Sequence, residues 1–74
     1  MPAPRKITTA LSITNFASIE ANGHLHSLHF HWDKLDHSAR LWALAKAERE
    51  IGRALAAISE AKEELLASSA QEAA

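Results

Sequence analysis

The chain has 74 residues, of which 47% are apolar, eight are basic and nine are acidic, so that its net charge is −1. This balance argues against a general nucleic-acid binder, which carries a strong basic surplus, and the apolar content is too high for a disordered chain. Because the sequence holds no cysteine, it excludes disulfides, thiolate zinc sites and cysteine nucleophiles, and it fits a reducing compartment.

Length and hydropathy predict a single small domain, residues 1–74, without a targeting segment. No apolar run approaches the roughly 20 residues that are needed to span a bilayer. Pro2 and Pro4 disfavour regular structure, so residues 1–6 are predicted to form a flexible arm. We therefore expect a cytoplasmic protein.

Asn22-Gly23 is the strongest local signal in the first half of the chain. Both positions of a type I′ β-turn need φ > 0, which these two residue types adopt readily. Folding the chain back on this pair separates mostly apolar from mostly polar side chains on the two faces. The pattern predicts an N-terminal β-hairpin with strands at about 7–20 and 24–32.

A helix is the competing interpretation of the same segment. Ile7, Leu11, Thr14 and Ala17 would share one face of that helix, and Gly23 would cap its C-terminus. The hairpin is preferred because it alone explains the pattern on both sides of the turn.

The period of the apolar residues lengthens after Trp32 from two residues to about 3.5. Asp33 or Asp36 can serve as an N-cap, and strong helix formers follow. We predict a C-terminal α-helix at about 34–67 and a frayed tail over 68–74. The predicted fold class is α+β, a β-hairpin followed by one long α-helix in the order ββα.

The predicted helix carries a seven-residue apolar repeat that outruns the hairpin. A helix of about 34 residues is about 51 Å long, whereas a ten-residue strand covers about 33 Å. The apolar stripe therefore continues beyond the part of the helix that the hairpin can cover, which predicts an interface. Gly52, one position beyond the stripe, is either a point of close approach to a partner or a tolerated surface glycine. The stripe consists of Leu44, Ala47, Ile51, Ala54, Ile58, Ala61 and Leu65.

Charges along this helix favour an antiparallel homodimer. Basic residues precede acidic ones, so antiparallel copies bring Lys46 to Glu63 and Arg49 to Glu60. The same alignment pairs the large apolar residues of the stripe with one another, as a two-fold symmetric interface requires. The alternative is that these charges only solubilise an exposed helix face.

Four of the five histidines fall within residues 24–31, which raises the question of a transition-metal site. On a strand these histidines alternate between two faces, and His29, His31 and Asp33 form only a weak candidate set. Ordinary polar histidines are the simpler interpretation, and a pH-sensitive switch is a further alternative. No metal or other cofactor is predicted. No enzyme is predicted either, since no catalytic residue set can be assembled.

The sequence predicts a small non-enzymatic, protein-binding regulator or inhibitor that acts as a homodimer. Trp42 lies outside the apolar stripe and is a candidate anchor for a protein partner, with packing against the hairpin as the alternative. Small size and simplicity are typical of phage- or plasmid-encoded inhibitors of host machines, including anti-defence inhibitors. The alternative functions are a histidine-based transition-metal-binding protein and a small nucleic-acid-binding dimer.

Overall fold

Two long helices account for almost all of the described backbone. The computed structural model describes the backbone of residues 4–73 and the side chains of residues 4–68. Helix α1 spans Arg5–His31 and helix α2 spans His37–Ala73. One turn of 3-10 helix, Trp32–Lys34, joins them. The described residues contain no strand, so the fold is a helical hairpin.

The helices run antiparallel along a narrow rod. At one end Lys6 Nζ lies 3.9 Å from Glu64 Oε2. Nearer the junction the ring of His24 packs edge-on against the ring of Trp42, with centroids 5.2 Å apart. The molecule measures 58 × 18 × 14 Å, and its radius of gyration is 16.8 Å. A compact chain of this length has a radius of about 11 Å, so most of each helix surface faces solvent in a single chain.

Small side chains form the buried contact between the helices. The buried positions fit a seven-residue repeat on each helix, which keeps one narrow stripe facing the neighbouring helix. All but one of these residues are alanines, so the backbones can approach closely while little apolar area is buried. We call this set the alanine seam: Ala10, Ala17, Ala21 and Leu28 on α1, with Ala43, Ala47, Ala54 and Ala57 on α2.

The predicted β-hairpin is wrong. Residues 7–20 belong to α1, and residues 24–32 continue α1 into the first residue of the 3-10 turn. Asn22 and Gly23 are helical, and within the described range no residue has the positive φ that a type I′ turn requires. The α+β class, the ββα order and the β-hairpin itself are therefore replaced by two helices.

Burial along the seam outweighs the local turn preference. As a helix, the first segment presents a continuous stripe of small residues to α2, whereas an isolated two-stranded hairpin is only marginally stable. Gly23 inside a helix costs about 1 kcal/mol relative to alanine, which packing against α2 offsets. The competing helix interpretation named the right type of element but the wrong end, because α1 continues past Gly23 to His31.

Gly23→Ala is expected to stabilise the protein by about 0.5–1 kcal/mol, because alanine is the better helix former and restricts the unfolded chain. A Cβ built at this position meets no atom within 4 Å. Thermal unfolding followed by circular dichroism should show a melting temperature higher by about 2–8 °C. A lower melting temperature would contradict the helical assignment, since alanine resists the positive φ of a type I′ turn.

The junction between the helices is held by side-chain contacts to the backbone. Asp36 is confirmed as the N-cap of α2, since its Oδ1 accepts a hydrogen bond from the Ala39 N–H at 2.8 Å. The Trp32 carbonyl accepts hydrogen bonds from the Leu35 N–H at 3.1 Å and from Arg40 Nε and Nη2 at 3.2 and 2.8 Å. The Arg40 guanidinium also lies 4.2 Å from the centroid of the Trp32 ring.

The predicted arm and tail fall partly outside the described residues. Helix α1 begins within the predicted arm, 1–6, of which residues 1–3 are not described. Helix α2 ends at Ala73, within the predicted tail, 68–74, and Ala74 lies outside the described range. Both predictions therefore stay predictions.

Candidate protein-interaction surface

Large apolar side chains lie on the outside of the hairpin, and small ones lie inside it. The exposed leucine, isoleucine, phenylalanine and tryptophan side chains retain between 37% and 66% of their accessible surface, whereas the alanine seam retains 8% or less. In a small domain such large side chains normally supply the core. Contiguous exposed apolar surface of this kind marks interaction sites.

An exposed apolar surface runs along α2, beside the alanine seam. Its residues recur at spacings of three, four and seven, so they share one side of the helix. Within the same series two charged residues, Glu48 and Lys62, interrupt the apolar surface. We call this surface the α2 face: Leu41, Leu44, Ile51, Leu55, Ile58 and Leu65.

A groove of about 740 Å³ opens between the first half of the α2 face and α1. Leu25 contributes its wall on α1, and Leu44 and Ile51 contribute its wall on α2. Gly52 also lines the groove, and a Cβ built there meets no atom within 4 Å in a single chain. The hairpin itself therefore gives no packing reason for a glycine at this position.

The structure divides the predicted dimer stripe into two groups. Ala47 and Ala54 belong to the alanine seam and pack against α1, and Ala61 is half-buried at the next position of that series. This division follows from size, because α1 occupies the side of α2 on which the side chains are small. The four large members, which remain exposed on the α2 face, are Leu44, Ile51, Ile58 and Leu65.

The charged residues that the sequence places at the dimer interface lie on a different side of α2. Lys46 is half-buried, and its Nζ lies 5.7 Å from the centroid of the Trp42 ring. Glu60 lines a smaller cleft together with Ile13 of α1. Arg49 and Glu63 are exposed. All four lie on the side of α2 that is turned away from the α2 face.

Glu48 and Lys62 are the charged residues within the α2 face, and sequence reasoning missed them. The signal that could have found them is a series with one residue every seven positions. The series consists of Leu41, Glu48, Leu55 and Lys62 and therefore contains two charges of opposite sign. That series becomes visible as part of an outer face only when the alanines are assigned to the contact with α1.

A second apolar surface lies on α1, on the other side of the seam. Leu25 follows the seam-facing residue His24, whereas Ile13 precedes the half-buried Thr14, so the two point to opposite sides of the hairpin. Phe16 and Ile19 extend the surface around Ile13 and are 66% and 61% exposed. We call Ile13, Phe16 and Ile19 the α1 patch.

Trp42, the candidate partner anchor, is 57% exposed. One edge of its ring contacts His24 of α1, and the Lys46 ammonium approaches the ring from the following turn. The side chain therefore packs against the hairpin and still presents more than half of its surface to solvent. The packing against α1 is observed, and the role of Trp42 as a partner anchor stays a prediction.

Helical geometry distributes the histidines around α1. His26 packs against Phe30 with ring centroids 4.5 Å apart, and the His31 ring lies 6.2 Å from the His26 ring. The His29 and Phe30 rings are also in contact, with centroids 4.5 Å apart. In the described part of the chain, no three histidine, aspartate or glutamate side chains are grouped so that they could hold a metal ion. The weak candidate set His29, His31 and Asp33 is thus not assembled within one chain.

Comparisons with protein-family models, with curated proteins and with solved structures find no match to this chain. Neither helix of the described range combines the length and the apolar content that crossing a bilayer requires.

Proposed function

We propose that this chain is a small, non-enzymatic, protein-binding regulator or inhibitor that acts as a homodimer. The observation that carries the proposal is the placement of large apolar side chains on the outside of a hairpin whose buried contact consists almost entirely of alanine. An arrangement of this kind leaves the apolar surface that stabilises a small domain to be covered by other protein.

Two separate surfaces support two separate contacts. The α2 face is long and continuous, as a symmetric contact between copies requires, whereas the α1 patch is compact and carries an exposed aromatic side chain. Aromatic residues surrounded by a polar rim are typical of protein-binding sites, and Glu60 lies at the edge of this patch. Because the two surfaces lie on opposite sides of the seam, a dimer through α2 leaves the α1 patch open to a partner protein.

The proposal includes a regulatory or inhibitory role and a cytoplasmic location. Binding through a rigid helical surface suits a protein that blocks or redirects another machine, such as an inhibitor encoded by a phage or plasmid. The absence of cysteine from the sequence supports a cytoplasmic location. A charge of −1 gives no support to a nucleic-acid-binding dimer as the function.

The α1 patch can be tested by comparing host proteins retained by the tagged parent chain and by Ile19→Asp. Ile19 is 61% exposed, so aspartate at this position faces water in the free protein and leaves the fold intact. In a complex the carboxylate would be buried without a partner, and retention of the bound protein should fall at least about tenfold.

Ser18→Asp is the matched control, because Ser18 is exposed on the same helix and lies seven residues before Leu25, on the side of α1 opposite to Ile13. Its retained proteins should equal those of the parent. If Ile19→Asp and the parent retain the same proteins in the same amounts, the α1 patch is not the binding surface and the proposed function loses its partner site.

A further inference from the structure

We propose that a second copy of this chain covers the α2 face, packed antiparallel so that a two-fold axis passes close to Leu55 and Glu48 of each copy pairs with Lys62 of the other. This inference rests on the homodimer of the proposed function and gives that homodimer its surface and register.

The charges on the α2 face select this register. Glu48 lies seven residues before Leu55, and Lys62 lies seven residues after it. A two-fold axis near Leu55 therefore brings Glu48 of each copy level with Lys62 of the other, which neutralises both charges within the face. Neither side chain forms an ion pair with another described residue of its own chain. A parallel pair would instead oppose Glu48 to Glu48.

The same register matches the apolar residues. Antiparallel copies centred near Leu55 place Ile51 beside Ile58 and Leu44 beside Leu65, so that these large side chains meet one another on either side of the axis. Gly52 lies close to the axis and lines the groove, where a missing side chain lets a second helix approach. A self-complementary surface of this kind fits a copy of itself better than an unrelated helix.

The accessible surface of one chain is large enough for this contact. The chain exposes 5911 Å², whereas folded monomers of 8.1 kDa expose about 4,500 Å². The excess of about 1,400 Å² per chain exceeds the roughly 800 Å² per partner that a stable protein interface buries. Packing two hairpins through α2 would bury part of this excess in a four-helix arrangement.

Single-cysteine crosslinking tests the register directly, because the parent chain contains no cysteine. Leu55→Cys is expected to give a covalent dimer with a short bismaleimide, since the two thiols lie beside the axis. Leu41→Cys is the matched control on the same face. Its two thiols lie about 42 Å apart in the antiparallel dimer, so it should stay monomeric on a denaturing gel. Efficient crosslinking through Leu41→Cys would overturn the antiparallel register in favour of a parallel pair.

Charge exchange provides an independent measurement. Glu48→Lys and Lys62→Glu should each weaken self-association about tenfold, because like charges then face each other at both ends of the contact. Mixing the two variants should restore association as a heterodimer, in which every pair is again opposite in charge. Unchanged self-association of both single variants would overturn the proposed ion pairs.

Failure of this inference and failure of the proposed function give different results. A parent chain with a dimeric mass but without the Leu55→Cys crosslink would overturn the register alone. A parent chain with a monomeric mass at micromolar concentration would overturn the homodimer and this inference together. The comparison of the parent with Ile19→Asp would still test whether the α1 patch binds another protein.

Discussion

Ala17→Leu is expected to destabilise the hairpin by about 1–3 kcal/mol and to lower its melting temperature by about 4–24 °C. Ala17 retains 0% of its accessible surface and lies in the middle of the alanine seam. Three extra carbon atoms can be accommodated there only if the helices move apart, and the alanines on either side then lose their contacts. Thermal and urea unfolding of the parent and the variant measure the effect.

Ser12→Leu provides the control for this substitution. Ser12 is exposed on the same helix, so a leucine at that position adds the same kind of side chain without entering the seam. Its melting temperature should remain within a few degrees of the parent value. If Ala17→Leu is as stable as Ser12→Leu, close packing of alanines does not hold the helices together.

The alanine seam also explains why only the second helix could be predicted from the sequence. Strong helix formers and a clear seven-residue repeat predicted α2, although its observed bounds, His37–Ala73, lie later than the predicted 34–67. Helix α1 is encoded by Ala10, Ala17 and Ala21, whose small side chains give little hydropathy contrast with the threonine, serine and asparagine residues around them. Because that hydropathy pattern is weak, the turn preference of Asn22-Gly23 was the stronger signal, and it predicted a strand pair where the chain forms a helix.

The exposed apolar surface of α2 could be predicted in part for the same reason. The sequence identified Leu44, Ile51, Ile58 and Leu65 as a continuous apolar stripe, and all four are exposed in the structure. Which residues of that stripe are buried depends on where α1 packs against α2. With a β-hairpin predicted in place of α1, the sequence offered no reason to expect that the alanines are the buried ones. Leu41 and Leu55 already widen the stripe on one side in the sequence, but the assignment of the alanines to the inner side depends on the packing of two helices.

In the proposed dimer, folding and association depend on different residues of α2, because the alanine seam and the α2 face lie on different sides of that helix. Substitutions in the seam act on the packing of α1 against α2. Substitutions on the α2 face act at exposed positions, so their effects should depend on protein concentration. This separation allows the proposed dimer to be removed without changing the contact that defines the fold.

Ile58→Asp is expected to convert a dimer with about twice the 8.1 kDa chain mass into a monomer. Ile58 is 48% exposed in a single chain, so the aspartate can reach water once the copies separate. In the dimer each of the two carboxylates would be buried against apolar side chains without a partner, which costs about 2 kcal/mol or more at each site and weakens association on the order of a thousandfold. Light scattering at micromolar concentration measures the mass.

The same variant should melt at a temperature that no longer depends on protein concentration, because association stabilises only the parent by mass action. Ile19→Asp is the matched control, since it introduces the same charge at an exposed isoleucine of the α1 patch and should remain dimeric. A dimeric Ile58→Asp protein would show that the α2 face is not the contact between copies. A monomeric Ile19→Asp protein would move that contact to α1, since the same substitution would then have disrupted association from the opposite side of the seam.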